Sequence, residues 1–202
     1  MCISYKTITK KSNGVYKEKG SKFLSYSFPV KNEDEIKKIY SSIKKEHHSA
    51  RHHCFAYRLG TVGNNYKAYD DNEPAYTAGK PILGQIDSFE LTNILIIVVR
   101  YFGGTLLGKG GLMNAYKLAS MDSLLKAEIV ENKIKDYYQL ICSYDNISKI
   151  MNVIKEMNVT IEKQEFKAEC EMIIGIDKNM SEIFLHKTEY INNLNKKYLY
   201  TV

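Results

Sequence analysis

The sequence has no long hydrophobic run. None of its 202 residues belongs to a stretch of 18 consecutive apolar positions, so no membrane-spanning helix is expected. The first six residues, Met-Cys-Ile-Ser-Tyr-Lys, contain neither an apolar segment nor a cleavage site of the kind found in secretory signals. We therefore expect a cytoplasmic location and no membrane partner.

Cysteine is scarce, and its spacing is unlike that of metal motifs. The cysteines are Cys2, Cys54, Cys142 and Cys170, and no two of them form a Cys-x-x-Cys pair. A structural zinc site needs four ligands, and His52 with Cys54 supplies only part of such a set. We expect a reduced protein with buried thiols, half-exposed histidines beside Cys54, and no bound metal or other cofactor. Zinc binding and a Cys54–His52 nucleophile pair are the alternatives.

The excess of positive over negative charge lies in the first two thirds of the chain. Residues 1–130 carry 19 Lys and Arg against 12 Asp and Glu, a net charge of +7. Residues 131–202 carry 10 against 11, a net charge of −1. A basic region beside a neutral one fits an anionic partner such as RNA, although scattered surface lysines would give the same count.

A glycine-rich turn follows the most apolar segment. Residues 94–99 form a continuous aliphatic run that predicts a buried strand, and a helix is predicted from Leu112. The glycines between them are Gly103, Gly104, Gly108, Gly110 and Gly111. A strand, a glycine turn and a helix start can present backbone N–H groups to an anion. The spacing matches neither the P-loop nor the dinucleotide-binding motif. It leaves three interpretations open: a tight connection, a phosphate or nucleic-acid contact, and a nucleotide site.

The pattern of elements predicts two α+β units, at 1–130 and 134–202, with a short hinge at 131–133. In the first unit we predict strands at 4–9, 15–18, 23–30, 51–59 and 94–101, helices at 32–45, 77–89 and 112–128, and a hairpin or loop at 60–69. Asn32 and Thr77 are the expected helix caps. In the second unit the predicted order is β-α-β-β-α-β, which is typical of the ferredoxin-like fold.

Three further polar segments are candidate sites. Strand alternation places Arg51 and His53 on one side of their strand. Asp70, Asp71 and Glu73 form an acidic turn that could hold Mg²⁺ with phosphate oxygens, or could be a solvated turn. Thr77 and Lys80 open the next predicted helix, which would be a second anion-friendly helix end. If the acidic turn lies beside the glycine turn, Asp70, Asp71, Glu73 and Thr77 would join Arg100 and Lys109 in one polar cleft.

Four segments of the sequence resemble the IMPACT/YigZ family in order, spacing and detail. They are Lys22-Phe23, residues 50–57 (ARHHCFAY), residues 70–83 (DDNEPAYTAGKPIL) and residues 98–112 (VVRYFGGTLLGKGGL). The resemblance covers roughly residues 1–130. Tyr76 stands where relatives tend to have a small residue.

The resemblance implies a fold and a function. It implies that the N-terminal domain is similar to domain IV of elongation factor G, with a left-handed βαβ crossover. The C-terminal domain would then be ferredoxin-like, as domain V of that factor is. The family has no firmly established enzymatic activity and is associated with translation.

The resulting hypothesis is a non-enzymatic, translation-associated regulator that binds RNA or a ribosomal component. Its expected anion site consists of Arg51, His53, Lys80, Arg100, Tyr101, Gly103, Gly104, Gly108, Lys109, Gly110 and Gly111. The charged side chains would contact phosphates, the glycines would allow close backbone approach, and Tyr101 or Phe102 would stack on a base. The alternatives are a Mg²⁺-dependent phosphate- or nucleotide-binding enzyme using the glycine turn, and a module that binds a protein partner.

Overall fold

The computed structural model describes residues 3–202, so Cys2 lies outside the described residues. The described residues divide into two compact units, one of Tyr5–Asn132 and the other of Lys133–Val202 together with residues 3 and 4. Three sheets and five α-helices make up the described residues. The prediction of a mixed α and β protein is confirmed. No helix among the described residues is long and apolar enough to cross a membrane.

The first unit is built on a five-stranded sheet. Its strands are β2 (Ser12–Glu18), β3 (Ser21–Pro29), β4 (His52–Leu59), β5 (Asn65–Tyr69) and β6 (Ile94–Tyr101), in the order β2-β3-β6-β4-β5. All neighbouring strands are antiparallel, so β3 and β4 run parallel to each other on either side of β6. The connection between β3 and β4 is the helix α1 (Glu33–Glu46). Strand β5 pairs antiparallel with β4, so the segment 60–69, predicted as a hairpin or loop, contains the second strand of a hairpin.

Strand β6 is buried on both faces, as its unbroken apolar sequence predicts. Ile94, Ile96 and Val98 belong to the core that also contains residues of the helices α2 (Gly79–Ser88) and α3 (Gly108–Leu125). The odd-numbered side chains of β6 face the opposite core, beneath α1. Complete burial of each such side chain stabilises the fold by about 1.5–3 kcal/mol. This burial holds β6 in place, and with it Arg100 and the glycine-rich turn that follows the strand.

Helix α1 begins as the sequence predicts. The side-chain oxygen of Asn32 accepts a hydrogen bond from the backbone N–H of Glu35 at 2.9 Å. Acidic residues occupy the first turn, and Lys44 and Lys45 occupy the last, which suits the helix dipole. The predicted Asn32 cap is confirmed.

Helix α2 begins differently from its prediction. The Thr77 hydroxyl donates to the carbonyl of Pro74 at 2.6 Å, and the residue at the cap position is Ala78. The N–H groups of Ala78 and Gly79 donate instead to Oδ1 of Asp70, at 2.9 and 2.8 Å. The predicted Thr77 cap is therefore wrong, because a carboxylate from the preceding turn already accepts from the helix start.

Helix α3 begins at Gly108, four residues before the predicted start at Leu112. Three of the glycines consequently lie within its first turn. Gly108 and Gly104 have positive φ angles of 70° and 86°, a conformation that favours glycine. Gly103 is needed for another reason, since a Cβ atom there would overlap the backbone of Gly20.

The second unit contains the six predicted elements in the predicted order. They are β8 (Lys135–Cys142), α4 (Ile147–Glu156), β9 (Thr160–Phe166), β10 (Cys170–Asp177), α5 (Ser181–Lys187) and β11 (Asn195–Thr201). The sheet order is β11-β8-β10-β9, and every neighbouring pair is antiparallel. Ile150, Ile154 and Phe184 bring the two helices into the core of this sheet.

The predicted hinge at 131–133 is a strand. Residues Ile129–Lys133 form β7, which pairs with β1 (Ser4–Ile8) in a separate two-stranded sheet. Its last three residues, Glu131, Asn132 and Lys133, are polar, so the sequence lacks the apolar alternation that identifies a strand.

The described cysteines are free and buried, as predicted. Cys54 lies in the core of the first unit, and Cys142 and Cys170 are cross-strand neighbours in the second. Burial raises the pKa of the Cys142 thiol to about 11. A thiol with this pKa stays protonated at neutral pH and is a weak nucleophile.

Candidate nucleic-acid interface

A cleft of about 340 Å³ opens where β6 ends and α3 begins. We call it the Arg100 cleft. Its walls come from the start of β4, the acidic turn, the end of β6 and the first turn of α3. The lining residues include Arg51, His52, Glu73, Arg100, Phe102, Leu106, Leu107, Gly108 and Lys109. The structure thus brings the acidic turn and the glycine turn together.

A buried ion pair forms the floor of this cleft. Nη1 of Arg100 donates to Oε1 of Glu73 at 2.7 Å, and the two side chains are 6% and 3% exposed. The Tyr116 hydroxyl donates to the same oxygen at 2.8 Å. Opposite charges at this distance and burial stabilise each other, whereas either one alone would be strongly unfavourable. Glu73 therefore holds the Arg100 side chain in a fixed position.

The Arg100 guanidinium has unused hydrogen-bonding capacity. Its Nε is buried and has no hydrogen-bond partner among the described residues. The guanidinium lies over the rings of Phe23 and Phe102, at 5.5 Å from each centroid, and Arg51 lies 5.3 Å from the Phe102 centroid. Phe102, which is 38% exposed, is therefore flanked by two cationic groups.

Buried polar side chains extend inward from this floor. Nδ1 of His52 lies 2.8 Å from the carbonyl oxygen of Asp71 and so donates to it. Sγ of Cys54 lies 3.3 Å from the Tyr116 hydroxyl. Burial raises the pKa values of Cys54 and Tyr116 far above their ordinary values, so both remain protonated. His52 and His53 are 8% and 4% exposed, and the expectation of half-exposed histidines is wrong because the β4 strand is covered on both faces.

The first turn of α3 has no side-chain cap. Leu107 occupies the cap position and makes no side-chain hydrogen bond there. The first N–H groups of a helix lack intrahelical partners, and the aligned peptide dipoles place positive potential at that end. A Cβ atom added at Gly108 or Gly110 would meet no atom within 4 Å apart from its chain neighbours and the backbone of its own helix. The backbone at this helix start is therefore open to a ligand.

A second concave surface of about 720 Å³ lies between α2 and α3. We call it the α2–α3 groove. Its lining includes Tyr76, Thr77, Lys80, Lys109, Gly110, Met113 and Lys117. Lys109, Met113 and Lys117 are four residues apart and share one helix face. Since Lys109 lines both surfaces, the groove and the Arg100 cleft adjoin there.

The structure divides the predicted site residues among several places. Arg51, Glu73, Arg100, Gly108 and Lys109 line the Arg100 cleft. Thr77, Lys80 and Gly110 line the α2–α3 groove, together with Lys109.

His53 and Tyr101 lie on the opposite face of the sheet. Nε2 of His53 donates to the carbonyl of His47 at 3.1 Å, and the Tyr101 hydroxyl lies 2.9 Å from Nδ1 of His47. Burial lowers the pKa of His53, which favours its neutral form. Neither side chain lines the cleft. The prediction that Arg51 and His53 share one side is wrong, because Arg51 precedes β4 and so lies outside its alternation.

The carboxylates of Asp70 and Asp71 have structural partners. Oδ2 of Asp70 accepts from the N–H of Tyr76 at 2.9 Å, in addition to the helix bonds of Oδ1. Oδ2 of Asp71 accepts from the N–H of His53 at 2.7 Å. No group of three or more His, Cys, Asp or Glu side chains within residues 3–202 has a metal-binding arrangement.

Some residues of the site were absent from the sequence prediction. Lys117 could have been found from its four-residue spacing to Met113 and Lys109. Tyr116, predicted only as a core residue of α3, bonds to Glu73 from 43 positions away. Leu106 is 84% exposed. Its place in the site could not be predicted, because nothing in the sequence distinguishes it from the many leucines and isoleucines of the core.

The comparisons with known proteins locate this site within a family. A family model described as "Impact N-terminal domain" matches residues 19–124. The chain belongs to the IMPACT family. The predicted membership in the IMPACT/YigZ family is thus confirmed, and the matched segment contains every residue of the Arg100 cleft and the α2–α3 groove.

Relatives and solved structures extend the match beyond that domain. An "IMPACT family member" from Haemophilus influenzae is 34% identical over 184 residues, covering 88% of each chain. "IMPACT family member YigZ" from Escherichia coli is 32% identical over 152 residues, covering 74% of each chain. A solved structure described as "Crystal structure of an hypothetical protein" matches with a TM-score of 0.74 and 26% identity, covering 99% of each chain.

Proposed function

We propose that this IMPACT family protein is a non-enzymatic, translation-associated regulator that binds RNA along the α2–α3 groove and the Arg100 cleft. The observation that carries the proposal is the charge of these adjoining surfaces. Their lining contains five cationic side chains, Arg51, Lys80, Arg100, Lys109 and Lys117, and one carboxylate, Glu73. Because that carboxylate is paired with Arg100, the four exposed cations set the potential of the surface.

The arrangement of aromatic side chains supports RNA in particular. Tyr76 is 70% exposed in the groove, and Nζ of Lys80 lies 5.8 Å from its ring centroid. Phe102 is exposed in the cleft, and the guanidiniums of Arg51 and Arg100 lie 5.3 and 5.5 Å from its ring centroid. Aromatic rings interleaved with cations can stack on unpaired bases while the cations contact phosphates. A single-stranded region fits this pattern better than a duplex, whose bases are already stacked.

The topology supports the finer fold assignment and the link to translation. In the second unit, numbering the four strands in chain order gives the sheet order 4-1-3-2, which agrees with a ferredoxin-like domain. In the first unit, α1 connects two parallel strands separated by β6. We infer domains similar to domains IV and V of elongation factor G, the first with a left-handed crossover. A ribosomal RNA partner and a cytoplasmic location follow from that inference.

The test is fluorescence anisotropy with a labelled single-stranded RNA at about 50 and 200 mM salt. Lys117→Ala and Lys109→Ala each remove a phosphate contact, so each should weaken binding and reduce the salt slope by about 1. Lys38→Ala is the matched control, since Lys38 is an exposed helical lysine on α1, beneath the other face of the sheet. Equal affinities for all three variants, or no binding at low salt, would overturn the proposal. A protein partner and Mg²⁺–nucleotide binding would then be examined.

A further inference from the structure

The geometry points to a specific phosphate seat within the Arg100 cleft: the first turn of α3, Arg100 and Arg51 together bind a phosphomonoester group, as found at the end of an RNA strand or on a nucleotide. For the RNA end, the inference rests on the proposed function and deepens it. For a free nucleotide, it stands alone.

Two independent features converge on this position. The α3 helix has 18 residues, and its first turn is uncapped by any side chain. Arg100 is 5% exposed, lines the same cleft, and has a buried Nε without a partner. Buried polar atoms in folded proteins are nearly always hydrogen-bonded, so an orphaned donor indicates a partner absent from the chain itself. Uncapped helix N–H groups and an orphaned guanidinium donor both call for an anionic acceptor.

The charge of the cleft favours a monoester over a diester. Arg51, Arg100 and Lys109 face the cleft against the single carboxylate of Glu73, which leaves a net charge of +2. A phosphomonoester carries about −1.5 to −2 charges at pH 7, whereas an internal RNA phosphodiester carries −1. The monoester therefore neutralises the cleft. Phe102 lines the cleft and is 38% exposed, so it is the aromatic side chain available to stack on the attached base.

The cleft and the groove each have a lining residue that the other lacks, so substitutions can test them separately. Lys109 lines both surfaces, Lys117 lines only the groove, and Leu106 lines only the cleft. Leu106 is 84% exposed, so its replacement should leave the fold intact. Leu106→Glu would add a negative charge beside the seat, and Leu106→Gln is its neutral counterpart of the same size.

The decisive measurement is isothermal titration calorimetry with uridine 5′-monophosphate, its 5′-methyl diester and uridine. We expect the monoester to bind about tenfold more tightly than the diester, a difference of about 1.4 kcal/mol. Leu106→Glu should weaken monoester binding by about tenfold, while Leu106→Gln and Lys117→Ala should leave it within about twofold. A parallel titration compares one RNA decanucleotide with a 5′-phosphate and with a 5′-hydroxyl end.

The outcomes separate this inference from the proposed function. Equal affinity for monoester and diester, or no binding of either, would overturn the phosphate seat even if RNA binds in the groove. Discrimination between the two nucleotides without RNA binding would overturn the proposed function and leave the seat in place. Tighter binding of the 5′-phosphorylated RNA would identify an RNA end as a ligand, and equal RNA affinities would limit the seat to free nucleotides.

Discussion

Helices α2 and α3 pack on the same face of one sheet, but their first turns are satisfied in different ways. The start of α2 is closed by Asp70, whose carboxylate accepts from Tyr76, Ala78 and Gly79. The start of α3 has no such carboxylate and lies in a cleft beside Arg100. Both ends carry the same partial positive charge. A helix start is therefore available to an external anion only where the chain has not already supplied a carboxylate.

The largest expected effect comes from removing the ion pair beneath the α3 start. Glu73→Ala leaves the buried Arg100 without its counter-charge, so we expect the free energy of unfolding to fall by about 3–5 kcal/mol. Urea denaturation followed by circular dichroism measures this loss. Glu73→Gln keeps an oxygen acceptor for Tyr116 and should lose less. Similar losses for the two variants would mean that the lost charge, and not the shape or the acceptor that glutamine retains, accounts for the effect.

The next effect tests the closed start of α2. Asp70→Ala removes the acceptor for three backbone N–H groups, and we expect a loss of about 2 kcal/mol, at the upper end of helix-cap losses. The same denaturation experiment applies. Asp34→Ala, at an exposed carboxylate in the first turn of α1, is the control and should change stability by less than about 0.5 kcal/mol. Equal losses would show that Asp70 does not act as the cap of α2.

A smaller effect tests the open glycine at the start of α3. A Cβ atom at Gly110 meets nothing in the protein, so Gly110→Ala should stabilise the helix by up to about 1 kcal/mol. The same methyl group narrows the α2–α3 groove, so RNA affinity should fall although stability rises. Ser41→Ala, on the exposed side of α1, should raise stability without changing RNA affinity. If Gly110→Ala leaves RNA binding unchanged, the RNA does not approach this backbone.

The smallest effect concerns His53, which the sequence assigns to the anion site. Its folded-state pKa is lowered, chiefly by burial. The hydrogen bond to the His47 carbonyl and the charge of Asp71 raise the pKa, and the charges of Lys44 and the His47 ring lower it. The unfolded chain therefore binds a proton more readily, and the stability from neutral His53 is present above about pH 6.5 and lost as pH falls through the folded pKa. Melting temperatures at pH 7.5 and 5.5 should differ less in His53→Gln than in the unchanged protein. We expect this variant to bind RNA with unchanged affinity at pH 7.5, because His53 lines neither the cleft nor the groove. A weaker affinity would show that His53 contributes to the binding surface.

Local patterns predicted much of the fold. The apolar run of β6, the Asn32 cap and the six elements of the second unit all follow from periodicity and helix-end chemistry within a few residues. These features depend on neighbours along the chain, and such neighbours are visible in a single sequence.

The candidate site was harder to predict because its contacts join distant segments. Glu73 meets Arg100 across 27 positions and Tyr116 across 43. The Thr77 prediction was wrong because Asp70, eight and nine positions before its bonded partners, already fills the role of cap. His53 was assigned to the side of Arg51 by strand alternation, but β4 begins only at His52, so the alternation does not reach Arg51. Tyr101 follows Arg100 directly, and successive residues of a strand face opposite sides.

The pairing of β1 with β7 sets where the chain can be cut. A fragment that ends at residue 130 would lose three of the five residues of β7 and leave the edge of β1 without most of its partner strand. An unpaired strand edge invites pairing between molecules. Extending the fragment by three residues, to Lys133, restores the pairing. The two lengths should therefore behave differently in aggregation and limited proteolysis, although the residues of the proposed RNA surface are the same in both.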